Sequence, residues 1–216
     1  IALAAGALGA VGRAVARKGY APAIAAIGSG AFAALAVLIA LHPHAVSTGL
    51  LVGVCAAAGL WTSLAAVTLA RAEAARPGLS TPLMLALTLF AASLVMLFSA
   101  IGTFAQQVGA LVAITTSVAL ISLWKRVPVL GVSGYGVVLS ILAYFAVGAW
   151  QLSRNPAIGA LAIVVLLPVA IPFLVRFGTT RTRRIASWIA IMAGCLGAIA
   201  WGYSIYSDAL KAAPAW

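Results

Sequence analysis

Few residues of this chain could carry out acid–base, nucleophilic or metal chemistry: it has two acidic side chains, two histidines and two cysteines in 216 residues. The histidines, His42 and His44, flank Pro43 and could in principle ligate haem or a metal ion. However, histidines two residues apart do not share a face of a helix, and a haem held within one chain would need axial ligands from its helices. A further ligand would have to come from a partner chain. We therefore predict a loop here and no cofactor or metal, and a His42→Ala/His44→Ala variant should keep its fold and absorption spectrum.

The arrangements that most enzymes require are not found in the sequence. There is no carboxylate pair for general acid–base catalysis, no Cys/His dyad and no glycine-rich loop that ends in Lys-Ser or Lys-Thr. The sequence GVSG at 131–134 is similar to the serine motif of rhomboid proteases, but a serine nucleophile needs a base and no histidine follows His44. We expect that the protein is not an enzyme. We also expect Cys55 and Cys195 to be free thiols that pack as small apolar side chains.

The composition of the chain is that of an integral membrane protein. Hydrophobic residues make up 65% of it and charged residues only 7%, whereas a soluble domain has roughly a quarter of charged residues. The net charge of +11 would favour nucleic acid as the partner of a soluble protein. Here the basic residues lie between apolar runs, so we interpret them as contacts with anionic lipid headgroups and expect no nucleic-acid partner.

The elements that position these residues are eight apolar segments. A helix needs about 20 residues to cross the ~30 Å hydrocarbon layer of a bilayer, and most segments have this length. We predict an all-α, polytopic bundle of about eight membrane-spanning helices, with seven or nine as the alternatives, that forms a single domain over residues 1–216. A weak boundary between repeats, if there is one, falls near 125–131. The segments are residues 1–17, 21–41, 46–70, 80–102, 106–124, 132–152, 156–176 and 184–207.

The connections between the segments alternate in charge. Eleven of the thirteen basic residues lie in or beside the odd-numbered connections. The positive-inside rule makes these connections cytoplasmic and predicts a multi-pass protein of a bacterial inner membrane. Residues 71–78 and 177–184 should then be cytoplasmic, and 42–48 and 208–216 should not. A cysteine at position 44 should be labelled from outside and a cysteine at position 180 should not.

Ionisable residues are scarce within the predicted segments. Arg13 is the only charged residue that we place within a span; Glu73 is expected in the third connection and Asp208 near the C-terminus. Pro168 and Pro172, one helical turn apart, are expected to kink or break the seventh segment. Broken helices form the binding sites of many transporters, although prolines also occur as simple kinks. The candidates for a substrate path are Trp61, Thr62, Thr88, Thr115, Ser140, Pro168 and Pro172.

Paired small residues predict close contacts between helices, because glycine lets two backbones approach. The pairs are Gly6/Gly9, Gly28/Gly30, Gly49/Gly53 and Gly194/Gly197.

One stretch of the sequence resembles a known family. GLWTSLAAVTLARAEAARPGLSTPLMLALTLFAASLVMLF (59–98), followed by QQVGALVAITTSVALIS (106–122), is similar to the EamA type of the drug/metabolite transporter superfamily. The resemblance implies a helical bundle of inverted repeats that moves small metabolites by alternating access. It carries no binding residue over to this chain.

Two functions agree with these observations. The first is a transporter or flippase-like carrier of a small neutral, anionic or amphiphilic solute, with a path lined by hydroxyl, backbone and aromatic groups. The second is a non-catalytic accessory or structural subunit of a larger membrane complex, which would explain equally well why chemical groups are scarce within the bilayer. Either protein could form a homo-oligomer or join a larger assembly.

Overall fold

The fold is an all-α bundle, as the sequence predicts. The computed structural model describes residues 21–41, 47–75, 80–99, 101–125, 130–153, 156–177 and 181–212, and no strand occurs among them. They form seven α-helices, with one 3₁₀ turn, Pro156–Ile158, before the sixth. The helices are α1 (Ala21–Leu41), α2 (Thr48–Ala75), α3 (Ser80–Phe98), α4 (Gly102–Lys125), α5 (Gly131–Leu152), α6 (Gly159–Phe177) and α7 (Arg181–Ala212).

Most of these helices can cross a bilayer. Six of them are long and apolar enough to do so, and the apolar part of α6, Gly159–Val175, is slightly shorter. The chain is therefore a multi-pass membrane protein. Helices α1 to α7 correspond to the second to eighth predicted segments, while the first segment, residues 1–17, lies outside the described residues. Because the first segment is not described, the predicted count of eight membrane-spanning helices stays approximate.

Contacts between helices show that α2 runs antiparallel to α1. The hydroxyl of Ser63 donates a hydrogen bond of 2.8 Å to the carbonyl of Ala26, and Gly59 lies against Gly30. Helix α6 likewise runs antiparallel to α7. Near the start of α7, the hydroxyl of Ser187 donates a hydrogen bond to the carbonyl of Leu174, close to the end of α6. Further along α7, Trp201 packs against the start of α6.

Helices α3, α5 and α7 share one direction. Helix α7 is parallel to α3, because Cys195 contacts Leu87 and Gly202 contacts Phe98. The C-terminal ends of α3 and α5 meet where the hydroxyl of Ser153 donates a hydrogen bond of 3.3 Å to the carbonyl of Ser99. The chain thus passes up and down through the bundle, as a polytopic protein with short connections must.

This arrangement sorts the charges between the two ends of the bundle. Arg71 at the end of α2 and Arg181, Arg183 and Arg184 at the start of α7 belong to one end, and all four are exposed. Lys211 and Asp208 belong to the other end, where they form an exposed salt bridge of 3.4 Å. The first end is the one that we predict to be cytoplasmic.

Glycines of α1 and α2 bring the backbones of these two helices into close contact. A Cβ atom on Gly59 would lie 2.9 Å from the carbonyl oxygen of Gly30, and one on Gly30 would lie 2.7 Å from the carbonyl oxygen of Gly59. The expected role of Gly30 is thus confirmed, with Gly59 as its partner. Gly194 packs against the side chain of Leu167. Gly28, Gly49, Gly53 and Gly197 make no such contact with the described residues, since no atom of another helix lies within 4 Å of such a Cβ, and Gly6 and Gly9 lie outside the described part of the chain.

One further expectation was wrong, and of the kink or break expected in α6 the break does not occur. Glu73 does not lie in a connection: α2 continues to Ala75, and the Glu73 side chain is completely buried. The extension has a local cause, because the alanines and charged residues of RAEAA are good helix formers. Helix α6 is not broken either, since it runs without interruption through Pro168 and Pro172. Backbone groups released in a bilayer have no water to bond, which favours keeping the rest of the helix intact.

Candidate functional site

The seven candidate residues all point toward the interior of the bundle. Six are buried, and Trp61 is half-buried with its indole nitrogen enclosed. They lie on five different helices: Trp61 and Thr62 on α2, Thr88 on α3, Thr115 on α4, Ser140 on α5, and Pro168 and Pro172 on α6. The side chains therefore face protein rather than lipid, but burial alone does not distinguish a site from a packed core.

Two of the candidates have their hydrogen bonds satisfied by backbone. The hydroxyl of Thr88 donates to the carbonyl of Met84, four residues earlier, at 2.8 Å. The hydroxyl of Ser140 donates to the carbonyl of Gly136 at 2.7 Å and is shared with the carbonyl of Ser29 on α1 at 3.2 Å. Such bonds to the preceding turn are common for buried serine and threonine. These two side chains are sufficiently explained by packing.

Three other candidates have a buried polar atom that bonds to no described residue: the indole nitrogen of Trp61 and the hydroxyls of Thr62 and Thr115. Buried polar groups in native proteins almost always have a partner, because a lost hydrogen bond there costs about 1–3 kcal/mol. Water or a bound solute is the natural partner for these atoms. Trp61 and Thr62 are adjacent, whereas Thr115 lies on α4, which packs chiefly against α3.

Trp61 and Thr62 occupy the middle of α2. This helix runs from Thr48 to Ala75, so both residues are roughly 20 Å from either end at 1.5 Å per residue. The interior face of α2 beside Thr62 is formed by small side chains, Ala65 and Ala66, which are fully buried. A polar position near the middle of a spanning helix is thus surrounded by residues that take little space.

Helix α6 brings unsatisfied backbone to the same interior. It packs against α2, α3 and α7, and the rings of Pro168 and Pro172 are buried. Proline has no N–H group, so the carbonyls four residues earlier, those of Val164 and Pro168, lose their usual helical donors. If α6 faced only lipid, these prolines could not line a site within the bundle. Their rings are buried, so such a role stays open.

The sequence interpretation missed one group of polar residues. Glu73 at the end of α2 and Tyr135 at the start of α5 are both completely buried, and the two helices pack against each other. The start of α3 lies at the same end of the bundle, where the buried hydroxyl of Thr81 bonds to no described residue. The signal that could have revealed Glu73 is helical spacing: it follows buried Thr62 by eleven residues, about three turns, and so shares its face.

Two surface grooves of the described chain lie elsewhere. One runs along α7 between Ile185 and Leu196, and another lies between α1 and α2 beside Cys55. Both are lined by apolar side chains and neither includes a candidate residue. Apolar outward faces of this kind are expected wherever a helix meets lipid, so they do not point to a site.

Comparison with known proteins gives no relative from which a function could be transferred. No protein family, curated protein or solved structure matches the chain significantly. The resemblance of residues 59–122 to the EamA type stays a prediction.

Proposed function

We propose that this protein is a transporter or flippase-like carrier of a small neutral, anionic or amphiphilic solute. The observation that carries the proposal is the pair Trp61 and Thr62, whose buried polar atoms bond to no described residue in the middle of a spanning helix. Transporters commonly bind their substrates near the bilayer midplane. An indole N–H and a threonine hydroxyl there would offer one donor and one donor–acceptor to a solute.

The surroundings of this pair support the same proposal. The side chains beside Thr62 on the interior face of α2 are small alanines, and α6, which packs against α2, carries the carbonyls released by its prolines. Carbonyls that lack a helical donor can bind a solute or water where the helix faces protein. In this proposal the solute passes between α2 and α6, by the alternating access that the EamA resemblance implies. The protein would lie in a bacterial inner membrane with its basic end toward the cytoplasm.

A test of this proposal does not need the identity of the solute. We would replace Cys55 and Cys195 with alanine and introduce single cysteines by Thr62→Cys and, as the matched control, Thr88→Cys. Both threonines are fully buried, but only Thr88 has its hydroxyl bonded within its own helix. A small charged thiol reagent should modify the cysteine at 62 from the aqueous phase of reconstituted vesicles and leave the cysteine at 88 unmodified.

The accessory-subunit hypothesis predicts a different result. In a purely structural subunit the interior of the bundle stays closed to charged reagents, so both cysteines should be unreactive from either side of the vesicle. Equal protection of positions 62 and 88 would therefore contradict transport. Modification of both to the same extent would show that the bundle had opened non-specifically, and would contradict a defined path.

A further inference from the structure

The groove along α7 differs from the groove between α1 and α2 in the charges at its end. Both grooves are apolar, and an apolar lining by itself does not point to a site. Helix α1 has no charged residue, and the charged residues of α2, Arg71 and Glu73, lie at the opposite end of that helix from Cys55. Helix α7 instead begins with RTRR at 181–184, and these four residues are exposed. The groove follows them directly and is lined by Ile185, Trp188, Ile189, Met192, Ala193 and Leu196.

Helical spacing places two of these arginines at the head of the groove. Arg181 precedes Ile185 by four residues and Trp188 by seven, so it lies on the same side of α7 as the groove. Arg184 precedes Trp188 by four residues and lies at the edge of the groove. The packed side of α7 is a different one, since Ser187 bonds α6 and Cys195 contacts α3.

Arg181 and Arg184 have no anionic partner within the described chain. Neither forms a salt bridge with a described residue, and of the two acidic side chains in the sequence Glu73 is buried. The other, Asp208, lies at the far end of α7 beside Lys211. Guanidinium groups stay charged at physiological pH, and the anions that a membrane surface offers them are lipid headgroups. The head of the groove is therefore complementary in charge to an anionic lipid.

The groove also has the length of one leaflet of a bilayer. Leu196 follows Ile185 by eleven residues, about 16 Å at 1.5 Å per residue. One leaflet supplies about half of the ~30 Å hydrocarbon layer. Trp188 is half-buried one turn below Arg184, a depth at which indole rings are common in membrane proteins. A lipid whose phosphate lies beside the arginines can thus lay an acyl chain along the whole groove.

We propose that the α7 groove is a binding site for one anionic phospholipid of the predicted cytoplasmic leaflet. Arg181 and Arg184 bind the phosphate, for which the planar guanidinium group offers paired N–H donors. An acyl chain packs along the groove from Ile185 to Leu196. The site does not depend on the proposed transport function, and it is more specific than a general attraction of basic residues to headgroups.

Native mass spectrometry of the purified protein in neutral detergent micelles tests the charged half of the site. The protein is titrated with phosphatidylglycerol, or with phosphatidylcholine that has the same acyl chains. Phosphatidylglycerol should bind about tenfold more tightly, and Arg181→Gln/Arg184→Gln should weaken its binding by about tenfold or more. Arg71→Gln/Lys211→Gln is the matched control, because it removes the same number of positive charges from exposed residues outside the groove and should change binding little.

A second pair of variants tests the apolar half. Ala193 lines the α7 groove and Ala56 lines the groove between α1 and α2, and both are exposed, so that a larger side chain at either position does not disturb the core. Ala193→Phe fills the α7 groove and should weaken the binding of phosphatidylglycerol about tenfold. Ala56→Phe should leave it unchanged. Inorganic phosphate in large excess should not displace the lipid, because it cannot occupy the groove.

Four results would overturn the proposal. Equal weakening by the two double variants would show a diffuse attraction of charges rather than a site. Binding that is unchanged in Ala193→Phe, or lost to inorganic phosphate, would show that the groove takes no acyl chain. A dimer that Ala193→Phe dissociates would assign the groove to a second copy of this chain. Wild-type protein that binds neither lipid would show that the groove is closed or is covered by another part of the chain.

Discussion

Two neighbouring residues of α2 show how differently the two sides of this helix are built. Ser63 faces α1, where its hydroxyl bonds the carbonyl of Ala26 at 2.8 Å and the backbones meet at Gly30 and Gly59. Thr62, one position earlier, faces the interior, and its hydroxyl bonds to no described residue. The α1 side of the helix is complete as a packed interface. The interior side has polar atoms that need a partner from outside the described chain.

The α1 side and the interior side of α2 are suited to different roles, helix packing and solute binding. Association of helices in lipid is driven by close packing and interhelical hydrogen bonds, and the α1 side has both. A site for a solute must instead hold polar groups that are unsatisfied until the solute arrives, at a cost in stability. Mutations on the two sides should therefore change stability in opposite directions.

The largest expected effect is on the α1 side. Gly59→Leu would place a side chain against the carbonyl oxygen of Gly30, which is backbone and cannot give way easily. We expect a loss of about 3 kcal/mol in the free energy of unfolding, at the upper end of the usual cost of overpacking, measured by denaturant titration in detergent micelles. Gly53→Leu on the same helix is the matched control, because a Cβ at Gly53 meets no atom within 4 Å. Equal losses in both variants would show that the backbones are not in tight contact.

The next largest effects are changes of opposite sign in the free energy of unfolding, at two buried threonines. Thr62→Val removes a hydroxyl that bonds to no described residue, and we expect the free energy of unfolding to rise by about 1 kcal/mol. Thr88→Val removes a hydroxyl that bonds the carbonyl of Met84 and should lower it by about 1 kcal/mol. Denaturant titration of the two variants beside the wild type measures both changes. If Thr62→Val lost as much as Thr88→Val, the Thr62 hydroxyl would have a structural partner.

The helices themselves could be predicted because each rests on a long apolar run that has few alternatives in a bilayer. Segments two to eight all appear as helices, and the exposed charged residues of the described chain fall at two opposite ends. Hydropathy is a property of each segment alone, so no knowledge of packing is needed to find it. Hydropathy does not predict which helices contact each other. In the sequence, Gly30 and Gly59 do not differ from the other glycines of their helices, and only the structure shows that these two meet.

The errors at the site also have a physical explanation. Glu73 was assigned to a connection because it lies among charged residues, yet helix propensity carried α2 past it and packing enclosed it. Thr62 and Thr88 look alike in the sequence, and only the structure shows which hydroxyl has a partner. Whether a hydroxyl has a hydrogen-bond partner depends on its neighbours in three dimensions. Residue type and position within a segment therefore made both threonines candidates but could not show which hydroxyl lacks a partner.

A smaller effect on stability is expected from the prolines of α6. Changing both Pro168 and Pro172 to alanine restores two backbone donors to a helix that is already continuous. The gain from the new hydrogen bonds is offset by the loss of the buried rings, so stability should be unchanged or higher. The carbonyls of the preceding turn would be closed to a solute. Modification of a cysteine at position 62 by a charged reagent should therefore slow, and an unchanged rate would exclude α6 from the path.

The smallest loss of stability should come from Ser63→Ala on the α1 side. The variant removes the interhelical hydrogen bond to the carbonyl of Ala26, and such bonds in membrane proteins contribute about 0.6 kcal/mol on average. The loss is small because that carbonyl also accepts the N–H of Gly30 within α1, as helical geometry requires, and is therefore not left bare. Ser117→Ala is the matched control: its hydroxyl is exposed and bonds the carbonyl of Ala113 within its own helix, so its removal should not change the free energy of unfolding measurably. A loss in Ser63→Ala as large as that in Gly59→Leu would mean that hydrogen bonding, rather than the close approach of Gly30 and Gly59, holds α1 against α2.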